Sequence, residues 1–401
     1  MIQRQDYLKK LIAFKDKQLI KVITGIRRCG KSTLFELFQN YLLSNGTDKS
    51  QIININFEDI KNEHLLNYIS LYNEIEQKLL PEKKNYIFLD EIQHVEKFEK
   101  AVDSLFIKNN VDLYITGSNA YFLSGELATL LSGRYVEISM LPLSFKEYAS
   151  ALEDNLSIDR KFSKYLTEGG FPYLLNLSEK QEKNDYLEGI YNSIVIKDIA
   201  QRNKISDIAL LESIIKFMYD NVGNFTSAKK ISDTLTSFGR KVTSPTVESY
   251  LSSLCSSFIL KKANRYDVSG KQLLKTQGKY YVTDLGIQRF LLNDSKLNIG
   301  HNLENIIFLE LIRRGYKVYI GKLGELEIDF IAEKDGFREY YQVAQTVLEE
   351  SVLKRELLPL NKIKDHNLKY LLTMDVLPEI SHNGIRQLNI IDWLLGANLS
   401  I

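Results

Sequence analysis

Eight residues near the start of the chain, Gly25-Ile26-Arg27-Arg28-Cys29-Gly30-Lys31-Ser32, have the spacing G-x-x-x-x-G-K-[ST]. Phosphate chemistry needs this arrangement. The glycines let backbone N–H groups curl around phosphate oxygens, and a helix beginning behind them adds partial positive charge. Lys31 would then reach the outer phosphates, and the Ser32 hydroxyl would ligate Mg²⁺. The plain alternative is a glycine-rich strand-to-helix turn with an exposed lysine. Sixty residues on, Tyr86-Ile87-Phe88-Leu89-Asp90-Glu91 is an apolar run ending in two carboxylates. Asp90 would hold Mg²⁺ through water, and Glu91 would orient or deprotonate an attacking water. Otherwise the pair marks a strand emerging into solvent. Asn119, after Ile115-Thr116-Gly117-Ser118, suits either a hydrogen bond to that water or a helix N-cap. Arg134 sits just past an expected helix ending at Leu131, where the helix dipole by itself favours a cation.

The elements that must position these groups are legible as alternating short apolar runs and amphipathic stretches. Strands are expected at Ile20 to Thr24, Gln51 to Phe57, Asn85 to Leu89, Val111 to Thr116 and Tyr135 to Met140. Several are apolar at consecutive positions, as in parallel sheets covered by helices on both faces. The fold class is α/β.

Four segments, Thr24 to Thr33, Thr116 to Asn119, Leu131-Ser132-Gly133-Arg134 and Pro142-Leu143-Ser144-Phe145, resemble a prokaryotic family of AAA+ P-loop ATPases with an uncharacterised C-terminal domain. The resemblance covers almost the whole chain. It implies an ATP site formed by Gly25 to Thr33, Mg²⁺ on Ser32 and Asp90, and catalytic roles for Lys31 and Glu91. Asn119 would be the polar sensor, and Arg134 the arginine that reaches the nucleotide of a neighbouring copy in a homo-oligomer. Gly169-Gly170-Phe171-Pro172 resembles the element with which related signalling ATPases close a helical annex over the nucleotide, so Pro172 joins the expected ATP-binding set.

The organisation implied is a core over 1–145, a helical lid over 146–205, a winged-helix segment over 206–295 and a nuclease-like α/β segment over 296–401. In the third, Thr226 or Ser227 would cap one helix, and Ser244 another with Pro245 at its first position. A hairpin of Ile259 to Tyr266 and Lys279 to Thr283 follows, then a helix from Leu285 to Leu292. Residues 221–295 carry eleven Lys or Arg against five Asp or Glu, although the whole chain is only +1. Lys229, Lys230, Arg240 and Lys241 flank the helices, and Lys261, Lys262, Arg265, Lys271 and Lys275 decorate the hairpin. Such a patch suits salt-sensitive binding to double-stranded DNA. The helix from Ser244 has no Lys or Arg and carries Glu248, which equally suits a protein-docking module.

In the fourth segment, Glu304 on a helix, Glu327 and Asp329 on one strand and Gln342-Val343-Ala344 on the next resemble the PD-(D/E)XK nuclease fold. That site needs two or three carboxylates for a divalent metal and a lysine beside the water. Gln342 and Ala344 are non-ionisable where the resemblance implies an acid and that lysine, so a degenerate site used for binding or assembly is expected. The exceptions are a substitute from Glu325, Glu327 or a migrated lysine. Arg355-Glu356 would pair with the acidic cluster.

Composition excludes several classes. With 44% hydrophobic and 26% charged residues the chain is too apolar for intrinsic disorder. Two distant cysteines, Cys29 and Cys255, make no disulfide framework or zinc knuckle and fit a reducing cytoplasm. Neither a signal-peptide core nor an 18-residue apolar run is present, so no membrane is expected. The expected function is Mg²⁺-dependent ATP hydrolysis coupled to movement of the C-terminal segments. The alternatives are a slow nucleotide-controlled switch with protein partners, an ATP-regulated DNA nuclease, or a scaffold that needs ATP to fold.

Overall fold

The computed structural model describes residues 2–119, 131, 133–152, 155–292, 298–378 and 380–397, with side chains except at 197 and 275–277. Two compact units result: Met1–Pro142 with Ser256–Phe258, and Leu143–Cys255 with Ile259–Ile401.

Among the described residues of the first unit, five strands form one parallel sheet. They are β1 (Ile20–Gly25), β2 (Ile52–Asn56), β3 (Asn85–Asp90), β4 (Val111–Gly117) and β5 (Tyr135–Met140), in the order β2-β3-β4-β1-β5. The five expected strands are all present, with ends differing by a residue. β1, β3 and β4 are buried at every position, as interior strands must be when helices cover both faces. Phe35 and Phe38 of the helix Lys31–Ser44 pack edge-on and tilted against Phe88 and Tyr114, with ring centroids 5.0–6.1 Å apart. A second core on the other face includes Ile53, Ile87, Ile115, Val102 and Leu105. Because the strands are parallel, β1, β3 and β4 deliver their C-terminal ends to one edge, where open α/β sheets place their ligands. The opposite edge holds a buried structural ion pair, Lys21 with Asp112, whose other oxygen accepts from the Tyr114 hydroxyl at 2.7 Å. The helix expected to reach Leu131 falls largely on 120–130, which, like Ser132, lie outside the described residues.

The second unit opens with helices. Phe145–Ala151 carries a full capping box between Ser144 and Glu147. Ile158–Glu168 stops at Gly169, whose φ of +83° ends it, and Pro172 starts a short 3₁₀ turn. Helices Lys180–Ser193 and Ile208–Asp220 flank a π-helical stretch at Ile194–Gln201. Ser227 caps the helix Ala228–Ser237 through Lys230 N–H. The helix Ser244–Ser256 is capped by Thr243 rather than by the expected Ser244: Thr243 Oγ1 accepts from Thr246 N–H at 3.3 Å, so Pro245 occupies the second helical position.

Nine strands are found in this unit's sheet among the described residues: β6 (Phe225–Thr226), β7 (Leu260–Asp267), β8 (Gln272–Val282), β9 (Lys317–Leu323), β10 (Leu326–Lys334), β11 (Phe337–Val343), β12 (Leu368–Thr373), β13 (Ile380–His382) and β14 (Ile385–Asn389). Their order is β13-β14-β12-β11-β10-β9-β7-β8-β6. β8 begins seven residues before the expected Lys279, because Leu273 and Leu274 pair with Tyr266 and Arg265 beyond a bulge at Asn264/Arg265. Its polar middle, 275–278, hides that start from apolar periodicity. β7 pairs in parallel with β9, so the basic hairpin and the C-terminal strands share one sheet. β13, β14 and the closing helix Ile390–Leu395 were not foreseen; they bury Trp393, over which the Arg314 guanidinium lies 3.8 Å from the ring centroid.

Candidate functional site

The loop 25–32 joins β1 to the helix Lys31–Ser44. Gly25 has φ +154°, and a Cβ there would lie 2.3 Å from the Met140 carbonyl oxygen, so only glycine lets the loop leave the sheet this close to β5. Cys29 N–H closes a turn on Ile26 O at 3.3 Å; Arg28 and Gly30 take positive φ at +66° and +102°. Ile26 and Cys29 are buried. Burial pushes the Cys29 thiol up, so it stays protonated. Arg27 reaches sideways to Glu58 at 2.6 Å, and Arg28 is exposed.

Lys31 is buried and folds back across the loop. Its ammonium donates to Gly25 O at 3.2 Å and lies 3.1 Å from Glu91 Oε1. Burial works against both charges, but each stabilises the other. Lys31 is raised above the ordinary lysine value, and Glu91, further helped by Gln93 Nε2 and by Arg27, is held down to about 2. Glu91 has φ +53°, an uncommon conformation for a non-glycine residue, and its N–H donates to Thr116 Oγ1 at 2.8 Å. The same Thr116 hydroxyl donates to Asp90 Oδ1. Asp90 is raised above the usual carboxylate range by burial, against the hydrogen bonds that Ser32 and Thr116 give it. Ser32 is otherwise open to solvent, and Thr33 is half-buried. The Ser32 hydroxyl and the Asp90 carboxylate are thus joined as two hard oxygen donors, a set that suits Mg²⁺ completed by water and phosphate.

Asn119 is buried just beyond β4. Arg134 lies at the start of β5, its guanidinium against the Asp103 carboxylate and 5.8 Å from the centre of the Phe106 ring. Pro172 belongs to the second unit. Sequence reasoning did not single out Thr116 or Gln93, although Thr116 heads a segment already noted at the end of β4. A hydroxyl at the tip of the strand beside β3 was the available signal.

In the second unit, Glu304, Glu327, Asp329 and Gln342 do come together, around a cation that sequence reasoning left unnamed. Lys279 of β8 is buried, with its ammonium 3.2 Å from Glu304 Oε2 and 2.6 Å from Glu327 Oε1. Asp329, buried beside Glu304, is pushed well above the carboxylate range; its Oδ2 accepts from Val343 N–H at 2.8 Å. Gln342 sits alongside, its Nε2 donating to Glu356 at 3.0 Å. Arg355 does not enter the cluster as expected: it bonds its neighbour Glu356 and stays exposed, because Lys279 already supplies the cation. Among the described residues no group of three His, Cys, Asp or Glu is arranged to hold a metal.

A family model for an AAA domain matches residues 17–149, and one for a domain of unknown function matches residues 159–298. An uncharacterized protein of Haemophilus influenzae is 42% identical over 399 residues, covering 98% of this chain and 99% of its own length. The chain belongs to the AAA-domain family of P-loop ATPases. An uncharacterized protein of Methanocaldococcus jannaschii is 33% identical over 369 residues, covering 87% of this chain and 80% of its own. Among solved structures, the Walker-type ATPase of Pyrococcus abyssi shares the fold, with a TM-score of 0.51 at 15% identity over 73% of this chain and 96% of the other. The family's five-stranded parallel core and the loop 25–32 agree with the sequence expectation, and a C-terminal sheet follows. No described helix is long and apolar enough to cross a membrane.

Proposed function

We propose that this family member binds ATP with Mg²⁺ on the loop 25–32 and hydrolyses it. The observation that carries the reading is the convergence of Lys31, Ser32, Asp90 and Glu91 at the C-terminal edge of the sheet. Backbone N–H groups of 25–33 cradle the phosphates, and Lys31 neutralises them. Ser32 and Asp90 hold Mg²⁺, which spreads phosphate charge when bound. Phosphate and Glu91 compete for one ammonium, so phosphate engagement releases the Glu91 carboxylate to polarise water. Thr116 ties Asp90 to the Glu91 backbone and keeps metal ligand and base in step. Asn119 senses the outer phosphate, and Arg134 acts on a neighbouring copy after leaving Asp103.

In this reading the chain is built as a core, a lid, a winged helix and a nuclease-like segment. Hydrolysis changes the conformation of the C-terminal segments, and the basic hairpin with its two preceding helices binds duplex DNA. Lys229, Lys230, Arg240, Lys241, Lys261, Lys262, Arg265 and Lys271 support that reading; the Lys275 side chain lies outside the described residues. The Lys279 ammonium between Glu304 and Glu327 favours a degenerate, structural role for the nuclease-like cluster over cleavage.

Steady-state Mg²⁺-dependent ATP hydrolysis by wild type and Glu91→Gln, across protein concentration and with or without duplex DNA, tests the proposal. Glu91→Gln should lose at least 100-fold in turnover while still binding ATP. Activity per chain should rise with concentration in wild type but not in Arg134→Ala, and DNA should stimulate it in a salt-sensitive way. Slow turnover with tightly retained ADP and no DNA effect would replace the DNA-acting reading by a signalling switch.

A further inference from the structure

Arg4 precedes the helix Gln5–Phe14, caps it with its own carbonyl to Tyr7 and Leu8 N–H groups, and has φ +42°. Its side chain is buried at 3% exposure, an unusual place for a guanidinium. One nitrogen donates to Cys29 O at 2.8 Å and another to Leu141 O at 2.6 Å. The guanidinium also lies 4.9 Å from the centre of the Tyr7 ring, and the Tyr7 hydroxyl accepts from Leu141 N–H at 3.1 Å. A single planar fork thus fastens the end of the phosphate loop to the residue that follows β5, which the rigid geometry of arginine permits and a lysine does not reproduce.

We infer that Arg4 is a positioning residue for the phosphate loop, acting through the Cys29–Gly30 peptide. The inference rests on the nucleotide reading above. A trans peptide is planar, so holding Cys29 O towards Arg4 turns the Gly30 N–H the opposite way, as a donor to phosphate. The other end of the loop is set by the close approach of Gly25 to Met140 O. Both ends are therefore referred to the same stretch, Met140-Leu141, and Arg4 supplies the fastening that glycine geometry does not. Arg4 touches no phosphate in this scheme; it pre-arranges the groups that do.

The test uses the full chain with fluorescent ADP and ATP analogues, thermal unfolding and steady-state hydrolysis. Arg4→Met should weaken nucleotide affinity roughly tenfold or more, since hydrogen bonds from a charged donor are lost. It should raise KM with little change in kcat, because the loop geometry serves bound ATP and transition state alike. Arg4→Lys, which keeps the charge and one donor, should fall between, and it remains informative where Arg4→Met folds poorly. Arg4→Ala should regain affinity with millimolar methylguanidinium, a response that general loss of stability would not give. Wild-type affinity in a folded Arg4→Met protein, or loss that neither lysine nor methylguanidinium relieves, overturns the inference. A wild type that binds neither nucleotide overturns the nucleotide reading and this inference with it.

Discussion

Lys31 Nζ and Glu91 Oε1 stand 3.1 Å apart with both side chains less than a tenth exposed, so the cation that would meet phosphate and the carboxylate that would activate water are each other's counter-ion. Removing one partner strands the other in a buried site. Lys31→Ala should cost about 3–5 kcal/mol of stability in urea unfolding. The double variant with Glu91→Gln should cost less than the two singles together, and a double-mutant cycle measures that coupling. Strict additivity would show that the two groups do not depend on each other.

Two carboxyls with opposite shifts should give the chain a recognisable acid response. Glu91, held at about 2 against 4.5, contributes stability that is present above pH 4.5 and lost as pH falls towards 2. Asp284 is raised to about 7 by burial, despite accepting N–H groups from Gly170, Gly286 and Ile287. Its contribution is present below about 3.8 and lost as pH rises through 7. Asp284→Asn should therefore flatten the decline of stability with rising pH between about 4 and 7, read from denaturation midpoints at a series of pH values; an unchanged slope would assign the decline elsewhere.

Glycines with positive φ should differ sharply in their tolerance of a methyl group. Gly25→Ala puts Cβ 2.3 Å from a backbone oxygen, a clash that adds about 1–3 kcal/mol or more to its own backbone cost and displaces the loop. Gly46, at φ +86° with nothing within 4 Å of its Cβ, should lose only the left-handed backbone cost of about 1–2 kcal/mol and keep nucleotide binding. Paired melting curves and nucleotide titrations separate the two.

Lys279 should behave as a structural cation. Lys279→Met leaves Glu304 and Glu327 facing each other beside Asp329 and should cost about 3–5 kcal/mol. Adding Glu327→Gln should return part of it. A Lys279→Met protein as stable as wild type would mean the cluster is solvated well enough to need no counter-ion.

Much of the first unit was legible in the amino-acid order because its determinants are local. Consecutive apolar residues specify strands covered on both faces, and Gly25, Gly30, Lys31 and Ser32 are set by what a phosphate loop needs within eight residues. Asp90 and Glu91 were readable for the same reason, as the end of one such strand. The C-terminal strand pairings were not legible: β8 has a polar middle, and a register shift, in which β7 passes from Asn264 to Arg265 while β8 passes from Gly278 to Leu274, admits Leu273 and Leu274 to the sheet. The helix starts after Ser227 and Thr243 were readable to within a residue, the difference at Thr243 being a choice between adjacent hydroxyls that only geometry makes.

The sequence by itself determined which groups emerge together, Lys31 and Ser32 behind the glycine loop and Asp90 with Glu91 at one strand end, because spacing within one turn or strand end fixes that. Only the tertiary structure decided who faces whom. Thr116 bridges Asp90 and Glu91 because β4 lies beside β3, Arg4 reaches Cys29 across 25 residues, and Lys279 arrives among Glu304 and Glu327 from a strand outside their segment. These are buried charges and polar groups whose burial is tolerable only once partners distant in sequence have been brought within hydrogen-bonding range. Local spacing carries no information about such partners.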